Sequence, residues 1–103
     1  GALALQCRRH DERTRTTLLV LNDPRTAQCV AVEREVVCAL DGDCHSPIAA
    51  LATAESDAIH LRVAVGERGG DPPVRRARMS VKQADCVPET FAAAVVTALH
   101  PPL

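Results

Sequence analysis

The sequence is almost without aromatic residues, since Phe91 stands alone among 103 residues and Trp and Tyr are absent. Proteins that bind single-stranded nucleic acid commonly stack the bases on aromatic side chains. The formal net charge is -1, so there is no overall electrostatic attraction to nucleic acid or to an anionic membrane. We therefore expect no nucleic-acid partner.

Long apolar runs are also missing. No stretch of the sequence approaches the roughly 18 residues of a membrane span, and its first residues do not form the pattern of a signal peptide. We expect no membrane partner and a cytoplasmic location.

Paired cysteine motifs are absent, although the chain has five cysteines. Their number is odd, no C-x-x-C occurs and the histidines are scattered, so neither a disulfide framework nor a zinc site with paired ligands is indicated. We expect mostly buried thiols in a reducing cytosol and assign no metal site. One alternative is a small metal protein that uses Cys38, Cys44 and His45.

A helix is predicted from Pro24 to Leu40. Asp23 can cap its start, and proline is tolerated at the first helical position. Gly42 follows as the glycine that ends the helix. The apolar stripe of this helix consists of Cys29, Val32, Val36 and Leu40.

Three strand candidates follow, SPIAALATA, AIHLRVAVG and VRRARMSVK, and PETFAAAVVTALH is typical of a last helix. The second strand alternates between apolar and polar residues, and GERGGDPP after it is typical of a hairpin loop. The order predicts an α+β fold, in which a three-stranded antiparallel sheet has helices packed on one face. The other face would carry Arg62, Arg76 and Arg78, either as a solvated surface or as an anion site.

The first 21 residues show a different pattern. GALALQC at 1–7 predicts a strand that is apolar on nearly both sides and would need cover on both faces. Asp11 can then cap a short helix whose apolar residues are Leu18, Leu19 and Leu21.

The stretch LDGDCHSPI at 40–48 places Cys44 in a tight turn. The end of a helix and the carboxylates of Asp41 and Asp43 all disfavour a thiolate. The side chain of the adjacent His45 would point away from the thiol, so a protease-like or redox cysteine is not indicated. The surroundings fit an exposed thiol that is used once for a covalent attachment, or an ordinary loop cysteine.

Four segments resemble the porphobilinogen deaminase (hydroxymethylbilane synthase) family: GALALQCR at 1–8, ERE at 33–35, LDGDCHSPIAALA at 40–52 and IHLRVAVGERGGDPPVRRAR at 59–78. The third is similar to the loop Gly-Gly-Cys-x-x-Pro of that family. The sequence departs from the family at Asp43, where the second glycine is expected, and at Gln6, where Glu is common.

The resemblance implies a transferase of tetrapyrrole and heme biosynthesis. Its members condense four porphobilinogen units into hydroxymethylbilane on a dipyrromethane cofactor, which a cysteine holds by a thioether. For this chain it implies Cys44 as the attachment point and porphobilinogen as substrate of the full enzyme. It implies no catalytic residue here, because the catalytic aspartate and most substrate-binding arginines of the family lie in two earlier domains. Arg8 and Arg34 match family arginines, and we expect them to form structural ion pairs.

The resemblance also implies a division of the chain. Residues 1–21 would be a returning segment of a preceding α/β domain that is absent here, and residues 22–103 would form the C-terminal α+β domain. We expect this fragment to be inactive without its missing N-terminal domains. The alternative is a free-standing α+β binding module that uses the face with Arg62, Arg76 and Arg78 to bind an acidic partner.

Overall fold

The computed structural model describes residues 2–41, 47–70 and 72–99. In chain order, its elements are α1 (Glu12–Leu19), α2 (Pro24–Ala39), β1 (Ile48–Glu55), β2 (Ala58–Val65), β3 (Arg75–Lys82), a 3-10 turn (Gln83–Asp85) and α3 (Pro88–Leu99). The strands form one antiparallel sheet in the order β1-β2-β3. The predicted α+β class and three-stranded antiparallel sheet are thereby confirmed. None of these helices has the length and the apolar character needed to cross a membrane.

The start of α2 is fixed by the predicted cap. The Asp23 carboxylate accepts hydrogen bonds from the Arg25 backbone N–H at 3.2 Å and from the Thr26 hydroxyl at 2.8 Å. The first of these bonds satisfies a backbone donor that the first turn of a helix leaves unpaired. Pro24 occupies the first helical position, where its missing N–H costs nothing.

The cap should make the stability of the fold depend on pH. The Thr26 hydroxyl, and then the Arg25 N–H, hold the pKa of Asp23 below its usual 3.8. The charged cap therefore stabilises the folded state above the unfolded pKa, and this contribution is lost as pH falls through the folded pKa. We expect Asp23→Asn to lower the melting temperature at about pH 6 and to have a smaller effect at about pH 2.5, measured by circular dichroism. A difference that grows toward low pH would contradict this assignment.

The end of α2 differs from the sequence prediction. Asp41 adopts the left-handed conformation with φ 53°, and its N–H donates to the Cys38 carbonyl at 3.0 Å. This is the arrangement that glycine usually provides after a helix, and aspartate is one of the few other residues that tolerate it. Gly42, which was expected to end the helix, lies outside the described residues.

The core lies between the sheet and the two helices α2 and α3. The Cys29, Val32, Val36 stripe of α2 is buried as predicted, and Leu40 packs against it at the edge. Among the strands, β2 contributes most of the buried residues of this core. Helix α3 contributes most of the remaining ones. Together, the buried hydrophobic residues are Cys29, Val32, Val36, Ala52, Ile59, Leu61, Val63, Phe91, Ala92, Val95 and Leu99.

The orientation of α2 can be tested at Val36, which is 0% exposed. Val36→Ala removes two buried methyl groups, and we expect it to lower the free energy of unfolding by about 1–3 kcal/mol. Val20→Ala is a matched control, because Val20 is 84% exposed and its truncation should cost less than about 0.5 kcal/mol. Urea denaturation of both variants measures the two values, and similar losses would show that α2 is oriented wrongly.

The N-terminal segment does not form the predicted strand. Residues 2–8 have no regular structure, and Leu3 and Leu5 are 94% and 54% exposed. In the described part of the chain, no strand pairs with them, and an unpaired strand leaves its backbone polar groups without partners. The short helix after them is confirmed, with Asp11 accepting the Thr14 N–H at 3.1 Å.

Candidate functional site

The predicted attachment residue, Cys44, lies outside the residues that the structure describes, as does the rest of segment 42–46. The structure describes the residues on both sides of this segment. Asp41 follows the last turn of α2, Pro47 precedes β1, and both are exposed. The Pro47 carbonyl accepts the Gly66 N–H at 2.9 Å, which holds the start of β1 to the end of β2. The chain therefore leaves α2 and enters β1 at the protein surface.

The four described cysteines are all free thiols. Burial raises the pKa of the Cys29 thiol, and the nearby Glu33 carboxylate raises it further. Burial also raises the pKa of Cys86. Both residues are therefore poor nucleophiles at neutral pH. Cys38 is exposed on the last turn of α2, and Cys7 is half-buried.

A structural role for Glu33 was missed in the sequence. Its carboxylate accepts the Ala52 backbone N–H at 2.9 Å. Because β1 is an edge strand, this N–H has no neighbouring strand to bond to, so α2 satisfies it from the side. The sequence feature that could have indicated this role is the position of Glu33 directly after Val32, at the border of the apolar stripe of α2.

Among the described residues, the two arginines that match the family do not form the expected ion pairs. In the part of the chain that the structure describes, neither Arg8 nor Arg34 contacts a carboxylate. Arg34 instead borders a groove of about 500 Å³. On one side of this groove lie residues 2–7 and α1, and on the other lie Ala27 and Val30 of α2.

The metal hypothesis is not tested by the structure. Among the described residues, no three His, Cys, Asp or Glu side chains are close enough together to hold a metal ion. Cys44 and His45, however, lie outside these residues, so only Cys38 of the three proposed ligands is described. Metal analysis of the purified protein would test this hypothesis, because a pure protein that contains no metal would contradict the proposed site.

Three arginines lie on the face of the sheet that the helices leave open. Arg62 of β2 is directly opposite Arg78 of β3, and Arg76 is opposite Ala64 on the same face. All three arginines are exposed. They border a shallow groove of about 530 Å³ on the sheet. The predicted charged face is thus confirmed, and it is separate from the helix-covered core.

Comparison with known proteins shows that this part of the chain is similar to one protein family. The family model for "Porphobilinogen deaminase, C-terminal domain" matches residues 27–95. This range contains most of α2, the whole sheet and much of α3, and Cys44 lies within it.

Three proteins named porphobilinogen deaminase show the same similarity. That of Sorangium cellulosum is 40% identical over 70 residues, that of Xanthomonas oryzae pv. oryzae 46% over 66, and that of Listeria monocytogenes 39% over 70. The aligned parts cover 68%, 64% and 68% of this chain but 23%, 22% and 23% of the relatives. The match thus spans less than a quarter of the length of these relatives.

Proposed function

The chain belongs to the porphobilinogen deaminase family as a C-terminal domain, and we propose that it is the cofactor-bearing part of such an enzyme. In this function the whole enzyme condenses four porphobilinogen units into hydroxymethylbilane, a step of tetrapyrrole and heme biosynthesis. The observation that carries the proposal is the family match over residues 27–95, because it spans both elements that flank the Cys44 segment.

We assign the covalent attachment of dipyrromethane to Cys44. When bound, this cofactor supplies the primer to which pyrrole units are added. A thiol suits the attachment because sulfur is a far stronger nucleophile toward carbon electrophiles than the hydroxyl of serine. The exposed positions of Asp41 and Pro47 support access to the segment between them. The free thiols of the described cysteines are consistent with a reducing cytoplasm, which we propose as the compartment.

The division at residue 21 is also a proposal. The family match begins at residue 27, so residues 1–21 fall outside it. They carry exposed apolar side chains, among them Leu3, Val20 and Leu21 at 94%, 84% and 70%. A cluster of this kind commonly packs against another surface. We propose that residues 1–21 return from a preceding α/β domain and that residues 22–103 form the C-terminal α+β domain.

The N-terminal segment should therefore exchange its amide hydrogens quickly in this chain alone. Residues 2–7 make no regular backbone hydrogen bonds, and such amides have little protection. We expect exchange close to that of an unfolded peptide, measured by NMR, while the Leu61 amide in the central strand is protected. Slow exchange of residues 2–7 in a proven monomer would contradict the proposal that they need another domain.

We assign no catalytic residue to this chain, and we expect it to be inactive alone. The experiment joins residues 22–103 to the earlier part of the Xanthomonas oryzae relative, in place of that protein's own C-terminal domain. Consumption of porphobilinogen by the joined protein, and not by either part, is the expected result. A free-standing α+β binding module, the alternative suggested by Arg62, Arg76 and Arg78, predicts a joined protein that folds but has no activity.

A further inference from the structure

The open face of the sheet concentrates positive charge at one end. Side chains directly opposite each other on neighbouring strands have Cβ atoms about 5 Å apart, and like charges in such pairs repel. Arg62 and Arg78 form such a pair. Arg76 lies two residues from Arg78 on the same strand, about 7 Å away. The sheet therefore places the Cβ atoms of three arginines close together on one face.

No carboxylate in the described part of the chain neutralises these three arginines. On the open face of the strands, the acidic residue is Glu55, and it lies at the opposite end. Glu55 is 3.7 Å from the His60 Nε2 atom, while His60 Nδ1 is 2.6 Å from the Ser80 hydroxyl. Among the described residues, the three arginines at this end thus have no carboxylate partner.

The groove between the arginines has an apolar floor. It is lined by Ala49, Leu51 and Ala64 together with the three arginines. Leu51 is 42% exposed, and the alanines on either strand are too short to fill the space. A volume of about 530 Å³ is within the range of small-molecule sites, roughly 300–1,000 Å³.

We propose that this groove, which we name the arginine groove, binds a small organic polycarboxylate with a flat apolar body. The apolar body would lie on Ala49, Leu51 and Ala64, where it removes apolar surface from water. The carboxylates would pair with Arg62, Arg76 and Arg78, since a guanidinium forms two parallel hydrogen bonds with a carboxylate.

Carboxylate fits this site better than phosphate. Phosphate sites commonly use backbone N–H groups at helix N-termini or in turns. In the middle of the sheet, the backbone N–H groups of β2 are already used in pairing with β1 and β3. Among the described residues, the hydrogen-bond donors that the arginine groove offers are side-chain guanidinium groups, whose planar shape matches a carboxylate. The proposal uses only described residues that line the groove, so it does not depend on the role of Cys44.

The test titrates the whole chain with three probes and measures binding from the shifts of its amide NMR signals. The probes are benzene-1,3,5-tricarboxylate, propane-1,2,3-tricarboxylate, which has the same number of carboxylates without the ring, and inorganic phosphate. We expect saturable binding of the aromatic probe with shifts at Ala49 and Ala64. Its dissociation constant should be lower than that of the aliphatic probe by at least about threefold, because only the ring covers the apolar floor. Phosphate should bind more weakly than either probe.

Two triple variants separate the groove from general charge. The combination Arg62→Gln, Arg76→Gln and Arg78→Gln should raise the dissociation constant of the aromatic probe at least about tenfold. The control removes the same charge at three other exposed arginines, Arg9→Gln, Arg13→Gln and Arg68→Gln, and should change it by less than about twofold.

The amide spectrum of each variant shows whether the fold is kept, and single Arg78→Gln replaces the triple if it is not. Absence of saturable binding, equal losses in the groove and control variants, or tighter binding of phosphate would overturn the proposal.

Discussion

Replacing Cys44 by serine in the joined, full-length enzyme should abolish the production of hydroxymethylbilane. In the proposed function this thiol forms the one covalent bond between protein and cofactor, and a serine hydroxyl is too weak a nucleophile to replace it. The expected loss is at least about a thousandfold in kcat, because a missing covalent group removes a whole reaction path rather than one stabilising contact. A colorimetric assay of porphobilinogen consumption measures it.

The matched control is Cys38→Ser. Cys38 is an exposed cysteine on the last turn of α2, close to Cys44 in the sequence, and the substitution makes the same chemical change. Its activity should stay within about twofold of the parent, since an exposed side chain contributes little to packing. Circular dichroism should show the same fold for both variants. A Cys44→Ser enzyme that still produces hydroxymethylbilane at the parent rate would show that the attachment is elsewhere.

Leu61→Ala should have the largest effect on stability. Leu61 is 0% exposed in the central strand, with Ala52 on one side and Met79 on the other. Truncation of a buried leucine leaves a cavity and costs about 2–5 kcal/mol. A domain of this size has only about 5–15 kcal/mol of stability in total, so much of the chain should unfold at moderate temperature. Urea denaturation monitored by circular dichroism gives the change.

Leu51→Ala is the control for this second result. Leu51 lies on the neighbouring strand but on the open face, where it is 42% exposed. Its truncation should cost no more than about 1 kcal/mol. A one-residue shift in register exchanges the two faces of a strand. If Leu51→Ala lowered the free energy of unfolding more than Leu61→Ala, the face that carries Leu51 would be the buried one.

The parts of the fold that the sequence predicts are those with a strong local signal. Asp23 and Pro24 mark the start of α2 through chemistry that acts within one turn. The strict alternation of Ile59, Leu61 and Val63 identifies both the strand and its buried face. In each case the residues that carry the signal also make the stabilising contact.

The errors arise where the outcome depends on distant residues or on fine differences in backbone preference. Residues 2–8 have the pattern of a strand, but pairing requires a neighbour that the pattern does not contain. The left-handed conformation of Asp41 depends on where the last helical turn closes. Glu33 resembles any surface glutamate until β1 is placed beside α2.

The candidate site shows the same limit. The sequence around Cys44 is compatible with an ordinary loop cysteine, and the aspartates beside it in the sequence predict no reactive thiolate. The attachment role comes from the family resemblance, and the family membership is established by the match over residues 27–95. The arginine groove, in contrast, follows from strand alternation, which places Arg62, Arg76 and Arg78 on one face.

The most direct test of the attachment role is intact-mass and peptide mass spectrometry of the joined, full-length enzyme after incubation with porphobilinogen. We expect a protein heavier than its sequence by one two-pyrrole group. In the peptide that follows Arg34 and ends at Arg62, which contains both Cys38 and Cys44, fragment ions should place this mass on Cys44. The same mass increase on Cys29, Cys38 or Cys86 with Cys44 unmodified, or an active enzyme with the unmodified mass, would contradict it.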